Sequence, residues 1–124
     1  MGRSENGRSP IGYLTIMWSS DYSAFRQKGI PEIVDFNVLR AHQRQGVGNQ
    51  LMDAAEDAIF AKAKTAGLGC SVTPDYGPAM RLYVRRGYIP LGNGLVKQFR
   101  SVGFEDRITI DENVVIYFTK DRPS

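Results

Sequence analysis

The stretch that most limits how this chain can fold is Gln43-Arg44-Gln45-Gly46-Val47-Gly48-Asn49-Gln50-Leu51-Met52. An apolar run, Ile33-Val34-Asp35-Phe36-Asn37-Val38, precedes it, and a long apolar-periodic segment follows. The order is therefore strand, glycine-containing loop, helix. The first backbone N–H groups of a helix have no intrahelical partner, and the helix dipole adds partial positive charge there. Gly46 and Gly48 remove the Cβ atoms that would keep an anion off that backbone. Arg44 stands beside them as a bidentate phosphate donor. A diphosphate is the ligand such a turn suits.

Two common diphosphate loops do not match. A dinucleotide fingerprint wants a third glycine where Leu51 stands, and an acid roughly 20 residues on within a second βαβ unit. A Walker A loop needs Gly-Lys-Ser/Thr, and the chain has no Gly-Lys pair. The pattern that fits is Gln/Arg-x-x-Gly-x-Gly/Ala, here Gln43 to Gly48. A second motif lies downstream at Asp75-Tyr76-Gly77-Pro78-Ala79-Met80-Arg81-Leu82-Tyr83-Val84-Arg85-Arg86-Gly87-Tyr88, a short helix with Ala-x-x-Leu-Tyr that ends in Gly-Tyr. In that order, the two motifs resemble the acyl-CoA pyrophosphate loop and the later helix of the GCN5-related N-acetyltransferase (GNAT) superfamily.

The periodicity gives the frame. Met1 to Pro10 is polar and reads as a mobile lead, Ile11 to Trp18 as a buried strand, and Ser19 to Gly29 as a loop or one helical turn. Pro31 releases a strand over Glu32 to Val38. Simple alternation puts Glu32, Val34, Phe36 and Val38 on one face and Ile33, Asp35 and Asn37 on the other. The main helix is expected from Gly46 to Ala66, with Val47, Leu51, Ala55, Ile59 and Ala63 as its apolar stripe and Gly67 as its C-cap. Leu68 to Thr73 reads as a short strand, Pro74 to Gly87 as a turn and second helix, and Tyr88 to Leu91 as a strand. Gly92 to Glu105 is expected as a long loop or loose hairpin. Arg107 to Ile110 and Val114 to Thr119 look like a strand pair around Asp111-Glu112-Asn113. The expected fold class is α+β, a single mixed, mostly antiparallel sheet with two main helices packed on it. The division is a lead over 1–10, one domain over 11–120 and a polar tail over 121–124.

Composition narrows the function classes. The chain has 124 residues, enough for one core, with 42% hydrophobic and 23% charged residues and net charge +3. Lys and Arg are scattered, so no nucleic-acid footprint is indicated. One cysteine (Cys70) and one histidine (His42) cannot build a zinc site, and no metal is expected. No apolar run approaches the roughly 18 residues of a membrane helix, and no signal peptide pattern precedes the first strand, so a cytoplasmic location without membrane contact is expected. His42 is read as a solvated loop residue and Cys70 as a buried small hydrophobe.

The resemblance implies a function and a set of roles. It implies an acetyl-CoA-dependent N-acetyltransferase, moving acetyl from acetyl-CoA to a small-molecule or protein amine by direct attack through a tetrahedral intermediate. It also implies that Val38 and Leu39 hold the pantetheine arm as a short added strand. The amides of Arg44, Gln45, Gly46, Val47, Gly48 and Asn49 are implied for the diphosphate, Gln43 is implied as a further cofactor-binding residue, and Arg86 either meets the 3′-phosphate or is solvated. Tyr83 matches the superfamily's general-acid position, against the alternative of an aromatic core residue. Two carboxylates compete for the base. Glu32 lies fourteen positions ahead of Gly46, where some histone-type relatives keep theirs, and Asp35 lies mid-strand, where many small bacterial relatives carry an acid. Superfamily members also carry a strand and two helices ahead of the segment that Ile11 to Trp18 resembles. Only a short lead stands here, which makes a homodimer attractive and keeps open an acyl-CoA-binding module of low activity, or a partner subunit.

Overall fold

The computed structural model describes residues 4–9, 12–38 and 46–124, with 4–9 described as backbone. The chain divides into two compact units, Met1–Gly67 with Asp121–Ser124, and Leu68–Lys120. The strands belong to a mixed, mostly antiparallel sheet.

In the first unit the hydrogen-bonded strand order is β1 (Ser4–Ser9), β2 (Gly12–Met17), β3 (Glu32–Val38) and β4 (Thr65–Ser71), whose later residues belong to the second unit. β1 is the first departure from the sequence reading. Its residues are polar throughout, yet each finds a partner in antiparallel β2, from Ser4 opposite Met17 to Ser9 opposite Gly12. Backbone pairing, which carries no hydrophobic signature, makes this strand where a mobile lead was expected. The short helix α1 (Ser23–Arg26) is the single turn anticipated between β2 and β3.

β3 has the expected bounds but not the expected faces. Tyr13 lies opposite Asn37, and Thr15 lies opposite Val34. Leu14 alone therefore spans the two residues Asp35 and Phe36, which defines a β-bulge. Asp35 takes φ 56° to make it. The extra residue flips the alternation beyond it. Glu32, Val34 and Asn37 share a face with Met17, Thr15 and Tyr13, while Ile33 and Val38 share the other with Ile16 and Gly12. Leu14, Ile16, Ile33 and Val38 are buried. The second face is the one that the main helix covers: Leu51 Cδ1 lies 3.1 Å from where a Cβ on Gly12 would stand.

That helix, α2, runs Val47–Phe60, shorter than its apolar stripe suggested. Val47, Leu51, Ala55 and Ile59 are buried as expected. After Phe60 the chain tightens, with Lys62 N–H and Ala63 N–H both donating to the Ile59 carbonyl at 2.9 and 2.8 Å. β4 then begins at Thr65. Gly67 is consequently not a helix cap but a strand residue: a Cβ there would meet the Phe25 ring at 2.5 Å, and Phe25 is fully buried. Close packing of the α1 ring on bare backbone is what Gly67 supplies.

In the second unit β4 is followed by a 3₁₀ turn over Pro74–Tyr76, α3 (Gly77–Arg85), β5 (Ile89–Pro90), β6 (Val96–Lys97), β7 (Arg100–Ser101) and β8 (Val114–Asp121). β8 pairs antiparallel with β5 and β6, and β6 with β7. The β6–β7 hairpin turns through Gln98 and Phe99, both at positive φ, and answers the expectation of a loose hairpin in 92–105. Residues 107–110 form no strand. Lys97 Nζ instead donates to the Thr109 carbonyl at 2.7 Å and lies 3.5 Å from Asp111 Oδ2, and β8 takes β6 as its neighbour.

Candidate active site

The two helix starts differ in what they offer an anion. α2 opens on Gly46 at φ 79°, with no side-chain cap and no acidic residue in its first turn. Gly46 is exposed, and the first intrahelical bond runs from Gln50 N–H to its carbonyl at 3.1 Å. Backbone amide donors at Val47 and Gly48 begin the helix with the positive end of the dipole behind them. α3 follows a 3₁₀ turn that carries Asp75, and proline stands at its start. Pro78 brings no N–H, and the Asp75 carboxylate already supplies negative charge there. The donor set at α2 fits a diphosphate.

Glu32 sits at the start of β3 and is buried at 7% exposure. Ser20 Oγ–H donates to its Oε1 at 2.6 Å. Tyr22 N–H donates to the same Oγ at 2.9 Å, so the serine's own proton is directed to the carboxylate. Burial pushes the Glu32 carboxyl up, the serine bond pulls it back, and the nearby Asp21 charge adds a smaller rise; it comes to about 6. Asp35, the rival carboxylate, is exposed at the bulge.

Tyr83 lies in the last turn of α3, 6% exposed, its ring edge-on to Tyr88 with centroids 6.1 Å apart. Gly87 at φ 96° closes the helix: Tyr88 N–H bonds back to the Tyr83 carbonyl at 3.0 Å and Gly87 N–H to Val84 at 3.1 Å. This is a Schellman ending, and it fixes the turn that carries the phenol. Burial pushes the Tyr83 hydroxyl well above its usual range, with smaller contributions from Cys70 and Tyr76. Cys70 is itself buried, its Sγ 3.5 Å from the Ser71 carbonyl, and burial pushes the thiol up to about 11. At neutral pH it is an uncharged small side chain.

Of the residues expected for the cofactor, Val38, Gly46, Val47, Gly48 and Asn49 lie in the first unit, and Arg86 is the half-buried C-cap of α3. Leu39, Gln43, Arg44 and Gln45, with His42, lie outside the described residues. The first unit brings Glu32 together with Ser20, a residue the sequence reading missed. Its signal was available in part: Ser-x-Tyr at 20–22 permits a hydroxyl-capped turn, although nothing in the order of residues aims that hydroxyl at Glu32. Among the described residues no group of three or more His, Cys, Asp or Glu side chains is placed to hold a metal, and no helix is long and apolar enough to cross a membrane.

Solved structures resemble the chain in fold. No functionally curated protein matches it significantly in sequence. Ard1 from Thermoplasma volcanium aligns with TM-score 0.65 and 18% identity, covering 92% of this chain and 64% of that one. PH1933 from Pyrococcus horikoshii OT3 aligns with TM-score 0.65 and 18% identity, covering 92% and 59%. Arabidopsis thaliana NAA60, solved in complex with a bisubstrate analogue, aligns with TM-score 0.64 and 17% identity, covering 91% and 66%. The chain thus spans about three fifths to two thirds of the length of these structures. The model of the acetyltransferase (GNAT) family matches residues 2–88, which hold both the strand–turn–α2 unit and α3 with Tyr83. The chain belongs to the GNAT acetyltransferase family.

Proposed function

We propose that this protein is an acetyl-CoA-dependent N-acetyltransferase acting on an amine acceptor, a small molecule or a protein. The observation that carries the reading is the start of α2: a left-handed glycine straight into amide donors, with neither a side-chain cap nor an acid in the first turn. The amides from Arg44 to Asn49 bind the diphosphate of acetyl-CoA, Gln43 adds to the cofactor site, and Val38 and Leu39 hold the pantetheine arm. Arg86 meets the 3′-phosphate.

Glu32 is the base. A buried carboxyl lifted to about 6 is ionised at neutral pH and accepts a proton more readily than a solvated one. Asp35 is left to shape the strand, since its exposed, left-handed position makes the bulge. Glu32 takes a proton from the ammonium, directly or through water. The freed nitrogen attacks the thioester carbon, forming the C–N bond, and the C–S bond breaks as the tetrahedral intermediate collapses. Tyr83 gives its proton to the departing thiolate and is reprotonated by the proton that the amide nitrogen sheds, while Glu32 passes the one it took to water. The reaction runs in one transfer with no acyl-enzyme, and the site is that of a cytoplasmic enzyme needing no metal.

The test is thiol release from acetyl-CoA by the full chain against a panel of primary amines. Amine-dependent release is the expected result. Saturable acetyl-CoA binding without release for any amine would instead leave an acyl-CoA-binding module.

A further inference from the structure

We infer that Ser20 is a positioning residue for Glu32: its hydroxyl holds Oε1 and leaves Oε2 as the oxygen that takes the proton. The inference rests on the reading of Glu32 as the base.

The geometry fixes the direction of every bond in the chain of contacts. A backbone N–H can only donate, so the 2.9 Å contact from Tyr22 N to Ser20 Oγ uses a serine lone pair. The serine proton then goes to Glu32 Oε1, at 2.6 Å, a length typical of a hydroxyl on an ionised carboxylate. Ser20 is itself held. It is 1% exposed, and Arg26 Nη1 donates to its carbonyl at 3.0 Å and to that of Asp21 at 3.2 Å. Tyr22 and Phe25 pack edge-on with centroids 5.2 Å apart, and the Phe25 ring lies against the bare backbone of Gly67. The α1 turn is thus a clamp that carries Ser20 to a carboxylate twelve residues away.

The second carboxylate oxygen is the one available for chemistry. Ser20 bonds this side chain at Oε1. Among the described residues, no buried side-chain oxygen lacks a hydrogen-bond partner. An oxygen that is neither buried nor bonded faces water, which is where a proton arrives. Among the described residues, charged groups lie on the segment next to Ser20. On the α1 segment they are Asp21, which opposes ionisation of Glu32, and Arg26. Opposite Glu32 on β2 stands Met17, and the first residues of β4, Thr65 to Gly67, do not titrate. Without the serine donor, little remains to favour the charged form.

The experiment is the pH dependence of amine-stimulated thiol release from acetyl-CoA by the full chain, in wild type, Ser20→Ala and Ser20→Thr. The acceptor's own titration is common to all three proteins and cancels in the comparison. Ser20→Ala should move the acid-side midpoint up by about half a pH unit or more, and Ser20→Thr, which keeps the hydroxyl, should return it. At pH 5.5 the alanine variant should then be about three- to tenfold slower, and at pH 8.5 within about twofold of wild type. If Ser20→Ala does not fold, Ser20→Cys, with its weaker donor, should move the midpoint in the same direction. An unmoved midpoint in a folded variant overturns the role of Ser20 and leaves the enzyme reading standing. Absence of release by folded wild type with every amine overturns both.

Discussion

Glu32 in the first unit and Tyr83 in the second are buried by the same physics, and the proposed reaction asks opposite things of them. Removal from water disfavours the charged form of each. For the carboxyl, that raises the point of ionisation only to about 6, because the Ser20 hydroxyl restores part of what water supplied. Near neutral pH the group is charged and more basic than a solvated glutamate. For the phenol, burial raises the point of ionisation above its usual range, so the hydroxyl keeps its proton at neutral pH. A thiolate, whose conjugate acid ionises at about 8.5, is the weaker base, so in the proposed reaction this transfer has to be coupled to C–S cleavage and cannot stand as a separate step. The contrast combines the intrinsic gap between a carboxyl and a phenol with the Ser20 hydrogen bond at Glu32, and it teaches that burial alone does not assign roles.

The comparison is broken most severely at the carboxylate. Glu32→Gln should lower kcat for thiol release by about a hundredfold or more in steady-state assays at pH 7.5, the scale of a lost general base. Tyr83→Phe should lower kcat about tenfold, with acetyl-CoA affinity by calorimetry within about twofold; equal activity would remove Tyr83 from the mechanism. Stability sharpens the contrast. A carboxyl raised from 4.5 to about 6 on folding favours the folded state below pH 4.5 and loses that contribution as pH rises through 6. Above pH 7 the ionised Glu32 costs about 2 kcal/mol. Glu32→Gln should therefore raise Tm at pH 7.5 and leave it near wild type at pH 4, while Tyr83→Phe should show no such pH dependence in the same melts. The smallest effect is expected at Asp35. Asn tolerates the left-handed region as Asp does, so Asp35→Asn should keep kcat/KM within about twofold, and a larger loss would return Asp35 to the list of bases.

The parts of this picture legible in the sequence are those written as local pattern. β3 falls on the residues its apolar run marked, and the start of α2 falls at the glycine after it, because hydrophobic period and a left-handed glycine are both local signals. Three features were hidden for three reasons. β1 has no apolar pattern, since backbone pairing with β2 makes it. The stripe of α2 runs on to Ala63 although the helix ends at Phe60, because alanine also suits the tight turn that follows. The bulge at Asp35 adds a residue without disturbing the composition of β3, so alternation placed Asn37 on the wrong face. At the candidate site, the identity of Glu32 as a contender was readable. Its burial and its partner Ser20 were not, since they depend on where the α1 turn lies over β3.

The central claim, that bare amides at the start of α2 hold the diphosphate of acetyl-CoA, is tested most directly by calorimetric titration of wild type and Gly48→Glu. The account predicts saturable binding by wild type and a loss of about a hundredfold or more in the variant. Its Tm should be unchanged or slightly raised, since an acid suits a helix start in the absence of the ligand. Equal affinity in the two proteins, or no binding by folded wild type at millimolar acetyl-CoA, would contradict it.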